Sequence, residues 1–443
     1  MNSTSSDLKL AALNNLGLMH AQGLGLRQDY AQALHCYRQA AEHGLPQAHS
    51  NLGLMYFNGQ GVEINYQLAL QHYQVAAEKG LALAQANLGI MYANGLGVKR
   101  DYNQALIWYQ AAAAQGEPTA QHNLGVMFAN GQGVTEDLAA ALRCYSAGAE
   151  AGDAASQFGL GVMYANGQGV DRDIEKALYW YNLAAEQDHA HAQFNLGHLF
   201  FTGTDVAQDF ARALKLYVRS AALGNAAALY NLGFIYSTGQ GVAKDMKKVH
   251  QWYLYAAQLG DAGAQYNLGL LHANGDGREQ DFAQALLWYR KAAEQGDASA
   301  QHALGILIAK GQGMEASITQ AKHWLQLAAD QGDVDALYNL GLLHLDDRDS
   351  EPDYLLARQC FRAAALQNHA EAQAAMGWMH AQGLGTLQDF VRAHAWFNLG
   401  AQHGNESAVT GRDSVSGQMT AQQMAQAQEL ARNCLSNGFE GMD

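Results

Sequence analysis

The apolar positions of this chain follow a helical period and then recur as a block. Ala84, Leu88 and Tyr92 lie four residues apart, which places them on one face of a helix. A loop containing Gly95 and Gly97 follows, and Asp101 opens a second pattern. There Ala105, Trp108, Tyr109, Ala112 and Ala113 form an apolar face that closes near Gly116. The spacing predicts two helices joined by a tight turn. The glycine of a recurring Asn-Leu-Gly triplet marks the copies: Gly17, Gly53, Gly89, Gly125, Gly161, Gly197, Gly233, Gly269, Gly305, Gly341 and Gly377. Every interval is 36 residues, with no insertion. Such a period is the signature of a stacked repeat, since a lone helix pair cannot bury its apolar face.

The polar positions repeat with equal regularity. Asp29, Asn65, Asp101, Asp137, Asp173, Asp209, Asp245, Asp281, Ser317, Asp353 and Asp389 are all good N-caps for the second helix. Gln32, Gln104 and Gln284 stand where a capping box would place them. The closing position is Gly in nine units and Asp188 or Asn368 in the other two, residues that tolerate a left-handed C′ conformation. The marker glycine falls inside the first helix, at a cost of about 1 kcal/mol relative to alanine. It is therefore expected where a neighbouring helix approaches closely. The Gly-x-Gly loop matches no phosphate-binding spacing and lacks a preceding strand, so it reads as a turn. Repeat ten departs, with Asp346, Asp347, Asp349 and Glu351 around the missing loop glycines; an altered, solvated turn is expected there, with cation binding the alternative.

Composition narrows the partners. The net charge of −15 and the lack of a basic stripe exclude a nucleic-acid footprint; the densest run, Lys244, Lys247 and Lys248, is interrupted by Asp245. Cys36, Cys144, Cys360 and Cys434 are far apart, too scattered for a disulfide framework or a zinc site. The first three occupy a slot filled elsewhere by Trp108, Trp180, Trp252 and Trp288, and read as small buried hydrophobes. His20, His272, His344 and His380 replace a tyrosine and read as packing residues. His189 and His191, two apart, point to different helix faces. No nucleophile–base set, metal constellation or cofactor fingerprint is present, so no catalytic residue, metal ligand or cofactor is expected. No stretch reaches the length of a membrane span, and residues 1–7 hold no apolar signal core. A monomer in the cytoplasm is expected, with signal-less secretion left open.

The pattern A-x-x-NLG-x-MY-x-x-G-x-GV-x-x-D-x-x-x-A-x-x-WY-x-x-AA-x-x-G, nearly intact at residues 84–116, resembles the Sel1-like repeat, a relative of the tetratricopeptide repeat. The resemblance implies an all-α, right-handed superhelical α/α solenoid of about eleven 36-residue helix-turn-helix repeats. The expected layout is a flexible segment at 1–7, a single solenoid at 8–404 and a capping region at 405–443. In the last, Thr420 and Gln423 start a helix expected over 421–435. Family members are mainly protein scaffolds and adaptors, which implies a non-enzymatic role. Two alternatives follow from the same resemblance. One is a secreted effector or toxin-neutralising immunity protein that acts by binding. The other is the hydrolase or penicillin-binding activity of cysteine-rich relatives, against which the missing cysteine pairs argue.

By the same resemblance, the Asn two residues before the marker glycine faces the concave surface and can bond a peptide backbone. These are Asn15, Asn51, Asn87, Asn123, Asn195, Asn231, Asn267 and Asn339, with Gly159, Ala303 and Ala375 as exceptions. The preceding residue is Phe158, Phe194, Tyr230, Tyr266, His302 and Tyr338 in repeats five to ten, but Asn14, Ser50, Ala86 and His122 in the first four. The rings form a stripe that either anchors a protein or peptide partner or packs between neighbouring helices; the Asn side chains either meet that partner or bond the adjacent helix or loop.

Overall fold

The computed structural model describes residues 2–346 and 351–437. Within them the chain forms 24 helices and no strand. Odd-numbered helices are the first (A) helix of each unit and even-numbered ones the second (B). Repeats one to six are α1 (Asn2–Gln22), α2 (Tyr30–Glu42), α3 (Pro46–Asn58), α4 (Tyr66–Glu78), α5 (Ala82–Asn94), α6 (Tyr102–Ala113), α7 (Pro118–Asn130), α8 (Leu138–Glu150), α9 (Ala154–Asn166), α10 (Ile174–Glu186), α11 (Ala190–Thr202) and α12 (Phe210–Ala222). Repeats seven to eleven are α13 (Ala226–Thr238), α14 (Met246–Gln258), α15 (Ala262–Asn274), α16 (Phe282–Glu294), α17 (Ala298–Lys310), α18 (Ile318–Asp330), α19 (Val334–Leu345), α20 (Tyr354–Ala365), α21 (Ala370–Gln382) and α22 (Phe390–Gln402). The tail adds α23 (Glu406–Ser416) and α24 (Ala421–Asn437). The chain divides into two compact units, Met1–Asn225 and Ala226–Asp443.

The marker glycine sets how close the two helices of a unit lie. A Cβ on Gly89 would sit 2.6 Å from the Tyr109 ring, and one on Gly341 would sit 2.6 Å from Phe361. The same contact recurs from Gly17 with Tyr37 to Gly377 with Phe397, with Leu325 facing Gly305. These B-helix side chains are all buried. An aromatic ring buries roughly 150–250 Å², worth about 4 kcal/mol or more at ~25 cal/mol per Å². That outweighs the ~1 kcal/mol helix cost of the glycine.

The caps follow the sequence. All eleven B-helix N-cap side chains, from Asp29 to Asp389, accept a backbone N–H from the first turn. The capping boxes do not close. The Asp29, Asp101 and Asp281 backbone N–H groups donate instead to the carbonyls of His20, Tyr92 and His272, each at 2.9 Å. Gln32, Gln104 and Gln284 therefore find no free donor to accept from. Asp188 and Asn368 are the non-glycine residues with positive φ among those described, at 58° and 64°. They stand where the sequence replaces the closing glycine.

Three regions differ from the uniform pattern. The helix α1 begins at Asn2, upstream of residue 8, because no glycine or proline interrupts the chain before Gly17. Without its loop glycine, α19 stops at Leu345 with Asp346 at φ −117° rather than in the left-handed region. Asp347 and Asp349 lie outside the described residues. In the tail, Thr420 and Gln423 do form a reciprocal box: the Thr420 N–H donates to Gln423 Oε1 at 2.9 Å, and the Gln423 N–H donates to Thr420 Oγ1 at 3.3 Å. The helix they start, α24, packs on α22, burying Ala431 and Cys434 with Trp396 and Leu399.

Before α24 comes a helix that the sequence pattern did not announce. It begins at Glu406, 36 residues after Ala370, with Asn405 as its N-cap. Gly411 falls in the ladder-Asn register, and a Cβ there would lie 2.5 Å from the Phe397 ring. Thus α23 is a short twelfth A helix, disguised because Arg412 and Asp413 stand where other units have Leu-Gly.

Candidate functional site on the A helices

The ladder Asn side chains divide by their bonding. Asn51 Nδ2 donates to Asn14 Oδ1 at 2.9 Å, Asn267 Nδ2 donates to the Tyr230 hydroxyl at 3.4 Å, and Asn339 Nδ2 meets His302 Nε2 at 3.0 Å. Each of these partners is the stripe residue of the preceding repeat, so ladder and stripe interlock. Asn195 follows Phe158, whose ring offers no acceptor, and donates to the Tyr181 hydroxyl at 3.3 Å instead. Asn123 turns back to the Thr119 carbonyl at 2.8 Å. Among the described residues, Asn15, Asn87 and Asn231 make no side-chain hydrogen bond. Asn15 is exposed and the other seven are half-buried.

The stripe rings are half-buried as well; they pack on the B helix of their own repeat and also meet residues at the start of, or within, the next A helix. Phe158, Phe194, Tyr230, Tyr266 and Tyr338 lie 5.6–5.8 Å from the B-helix rings of Tyr181, Tyr217, Tyr253, Tyr289 and Phe361. His302 is held by Asp333, its Nδ1 3.1 Å from Oδ2. Burial pushes the Tyr266 and Tyr338 hydroxyls above the usual phenol range, with nearby carboxylates adding to it: Asp297 and Asp333 for Tyr266, Glu371 for Tyr338.

Where the ladder lacks its Asn, two cavities open, one in each unit. The first, about 460 Å³, has His122, Tyr145, Phe158, Gly159, His189 and His191 among its walls. The second, about 620 Å³, includes Tyr338, Phe361, Ala375, Trp378, Asn405 and Ser407. The two are built from the same positions six repeats apart: His122 corresponds to Tyr338, Tyr145 to Phe361, Gly159 to Ala375, Val162 to Trp378, and His189 to Asn405. Ala155 corresponds to Glu371. At the remaining exception, Ala303, the His302 next to it is tied to both Asp333 and Asn339.

The cavities differ in chemistry. In the first, the Phe158 ring stacks on His189 at 4.8 Å, and His122 Nδ1 has no hydrogen-bond partner. Burial lowers the pKa of both His122 and His189; for His189 the neighbouring His191 and His122 add to the effect, while Asp153 opposes it for both. In the second, Tyr338 stacks on His369 at 4.8 Å. His369 Nε2 meets Asp335 at 3.0 Å, and its Nδ1 accepts the Ala372 N–H at 3.1 Å.

Six buried glutamines carry a role that the repeat pattern did not reveal. Gln85, Gln157, Gln193, Gln265, Gln301 and Gln373 each donate to the carbonyl eight residues back, at 3.0–3.3 Å, fastening the A helix to the end of the preceding B helix. Their recurrence four residues before the marker glycine was the available signal. The cysteines are free thiols. Cys36 and Cys434 are buried, and Cys144 and Cys360 half-buried; burial pushes the Cys360 thiol up to about 11. His272 and His380 are buried in the tyrosine slot, and burial, then Arg278, brings His272 down to about 4.

The Sel1 repeat family matches the sequence eleven times without a gap, from residues 10–45 through 46–81 and onward to 370–405. The chain belongs to the Sel1 repeat family. Its Sel1 repeats resemble those of a protective antigen present in uropathogenic Escherichia coli strains, which displays an SLR fold. That likeness has 34% identity, covers 99% of this chain and 94% of the other, and has a TM-score of 0.71. A Sel1 repeat protein from Oxalobacter formigenes is 33% identical over 56% of this chain and 99% of its own, with a TM-score of 0.51. A comparison with curated proteins finds no match. Among the described residues no helix is long and apolar enough to cross a membrane, and no three His, Cys, Asp or Glu side chains are grouped to hold a metal.

Proposed function

We propose that this Sel1 repeat protein is a non-catalytic scaffold that holds a partner protein, or an extended segment of one, on the surface carrying the Asn ladder and the aromatic stripe. The observation that carries this reading is the coincidence of three features within each of the two units. Some ladder amides, those of Asn15, Asn87 and Asn231, are left without an internal partner and can bond a peptide unit. The stripe rings are half-exposed, and aromatic side chains are preferred interface anchors. The two cavities open where the ladder is interrupted.

The unbonded amides supply a test that leaves the fold intact. Asn87→Ala combined with Asn231→Ala removes no internal hydrogen bond and improves helix propensity. The variant is expected to retain the wild-type melting temperature and to capture markedly less partner from extracts of the native cell. Capture by the variant equal to wild type, or a wild-type chain that repeatedly captures no protein, would sink the reading.

A further inference from the structure

The cavity of the second unit differs from its counterpart in having a carboxylate at its rim. Glu371 lines it, where the first cavity has Ala155. The cation nearest to hand does not neutralise Glu371. His369 Nδ1 lies 3.5 Å from its carboxylate, but that nitrogen already accepts the Ala372 N–H, so it presents a lone pair and not a proton. No Lys or Arg pairs with Glu371 among the described residues. The His369 proton sits on the other nitrogen, toward Asp335.

The rest of the wall fits a flat cation on an apolar stem. Trp378, 44% exposed, and the Tyr338 ring, which stacks on His369, both line it. The hydroxyls of Ser407, Thr410 and Ser414 add acceptors. An arginine side chain is donor-only, planar and weakly hydrated, and it stacks on aromatic rings while pairing with carboxylates. Lysine would use the charge but not the planes. Neutral apolar side chains would leave the charge of Glu371, whose side chain is 56% exposed, without a partner.

We infer that the cavity bounded by Tyr338, Glu371, Ala375 and Trp378 is a socket for an arginine side chain of the partner polypeptide. The inference rests on the scaffold reading and adds a specificity to it. The first cavity, with imidazoles and no carboxylate on its wall, has no such preference.

The test uses the full chain and fluorescein-labelled Gly-Ser-Gly-Arg-Gly-Ser-Gly, followed by fluorescence anisotropy. The same peptide with citrulline keeps the shape and removes the charge; a leucine version removes the polar head. The arginine peptide is expected to bind about fivefold or more tightly than either control, as an ion pair plus a cation–π contact would give. Glu371→Gln should erase the difference from citrulline. Ala375→Asn should weaken arginine binding by filling the gap, and His122→Tyr in the first cavity should leave it unchanged. Equal binding of the arginine and citrulline peptides, a preference that survives Glu371→Gln, or no measurable binding of any peptide overturns the inference. If partner capture still depends on Asn87 and Asn231 in that case, the scaffold reading stands and only the arginine socket falls. An arginine preference without any captured protein has the opposite meaning: the socket stands and the scaffold reading falls.

Discussion

The two cavities occupy one position of the repeat, six units apart, yet they differ in nearly every wall residue that carries chemistry. In both, a small residue replaces the ladder Asn beside a buried B-helix ring: Gly159 beside Tyr145, and Ala375 beside Phe361. The first cavity is walled by imidazoles and the second by Tyr338, Trp378 and Glu371. The difference teaches that the 36-residue frame and the surface chemistry are separately variable. In both, the frame places a buried ring, Tyr145 or Phe361, against the marker glycine of its own repeat. The wall positions around it exchange between the two cavities, His122 for Tyr338, Val162 for Trp378 and Ala155 for Glu371.

The largest expected effects test whether the two sites share a frame. Tyr145→Ala and Phe361→Ala each remove a buried ring and should cost about 3–5 kcal/mol. Native-state hydrogen exchange should show each substitution loosening the amides of its own unit. A silent substitution at either position would break the equivalence.

A smaller effect separates the two gaps. A Cβ on Gly159 would lie 2.9 Å from the Tyr145 ring, whereas Ala375 already carries one. Gly159→Asn should therefore cost about 1–3 kcal/mol, in the range of overpacking. Ala375→Asn should cost under about 1 kcal/mol, since an Asn there can bond Tyr338 as Asn267 bonds Tyr230. Thermal melts of the two variants check this; equal losses would mean the gaps are not shaped differently.

The subtlest contrast is in pH. His122 and His189 have lowered pKa values in the folded chain, so their neutral forms are favoured there. Their contribution to stability is present above the ordinary imidazole pKa of about 6.5 and is lost as pH falls below it. His191 and His122 favour the neutral form of His189, while Asp153 opposes this. The double substitution His122→Tyr and His189→Asn installs the residues of the second cavity. Its melting temperature should fall less than wild type between about pH 7.5 and 5. An unchanged pH profile would show that these imidazoles take up protons equally in the folded and unfolded states.

Much of the fold was legible in the residues. Eleven N-caps, the glycine closings and the two exceptions at Asp188 and Asn368 behaved as their chemistry demands. The capping boxes at Gln32, Gln104 and Gln284 did not, because the N–H they would reach had been taken by a carbonyl nine residues upstream. The short helix α23 was hidden because its Leu-Gly had been lost, although Gly404 and Asn405 kept the register. The candidate surface was legible as a row of positions but only in part as a set of bonds. Asn51, Asn267 and Asn339 follow Asn14, Tyr230 and His302, to which they bond, whereas Asn231 follows the apolar Phe194; Asn87 follows Ser50, and only the structure shows that this hydroxyl does not bond it.

The sequence by itself determined the period, the helix limits and the turn conformations of this protein. Those depend on interactions within a few residues, such as a side chain capping its own helix or a backbone angle that only glycine, Asp or Asn adopts readily. The tertiary structure alone decided which ladder amides are free, where α24 packs and where the two cavities open. Those outcomes depend on residues as far as 37 positions apart, such as Asn267 and Tyr230, and on the volume left between buried rings once they have packed.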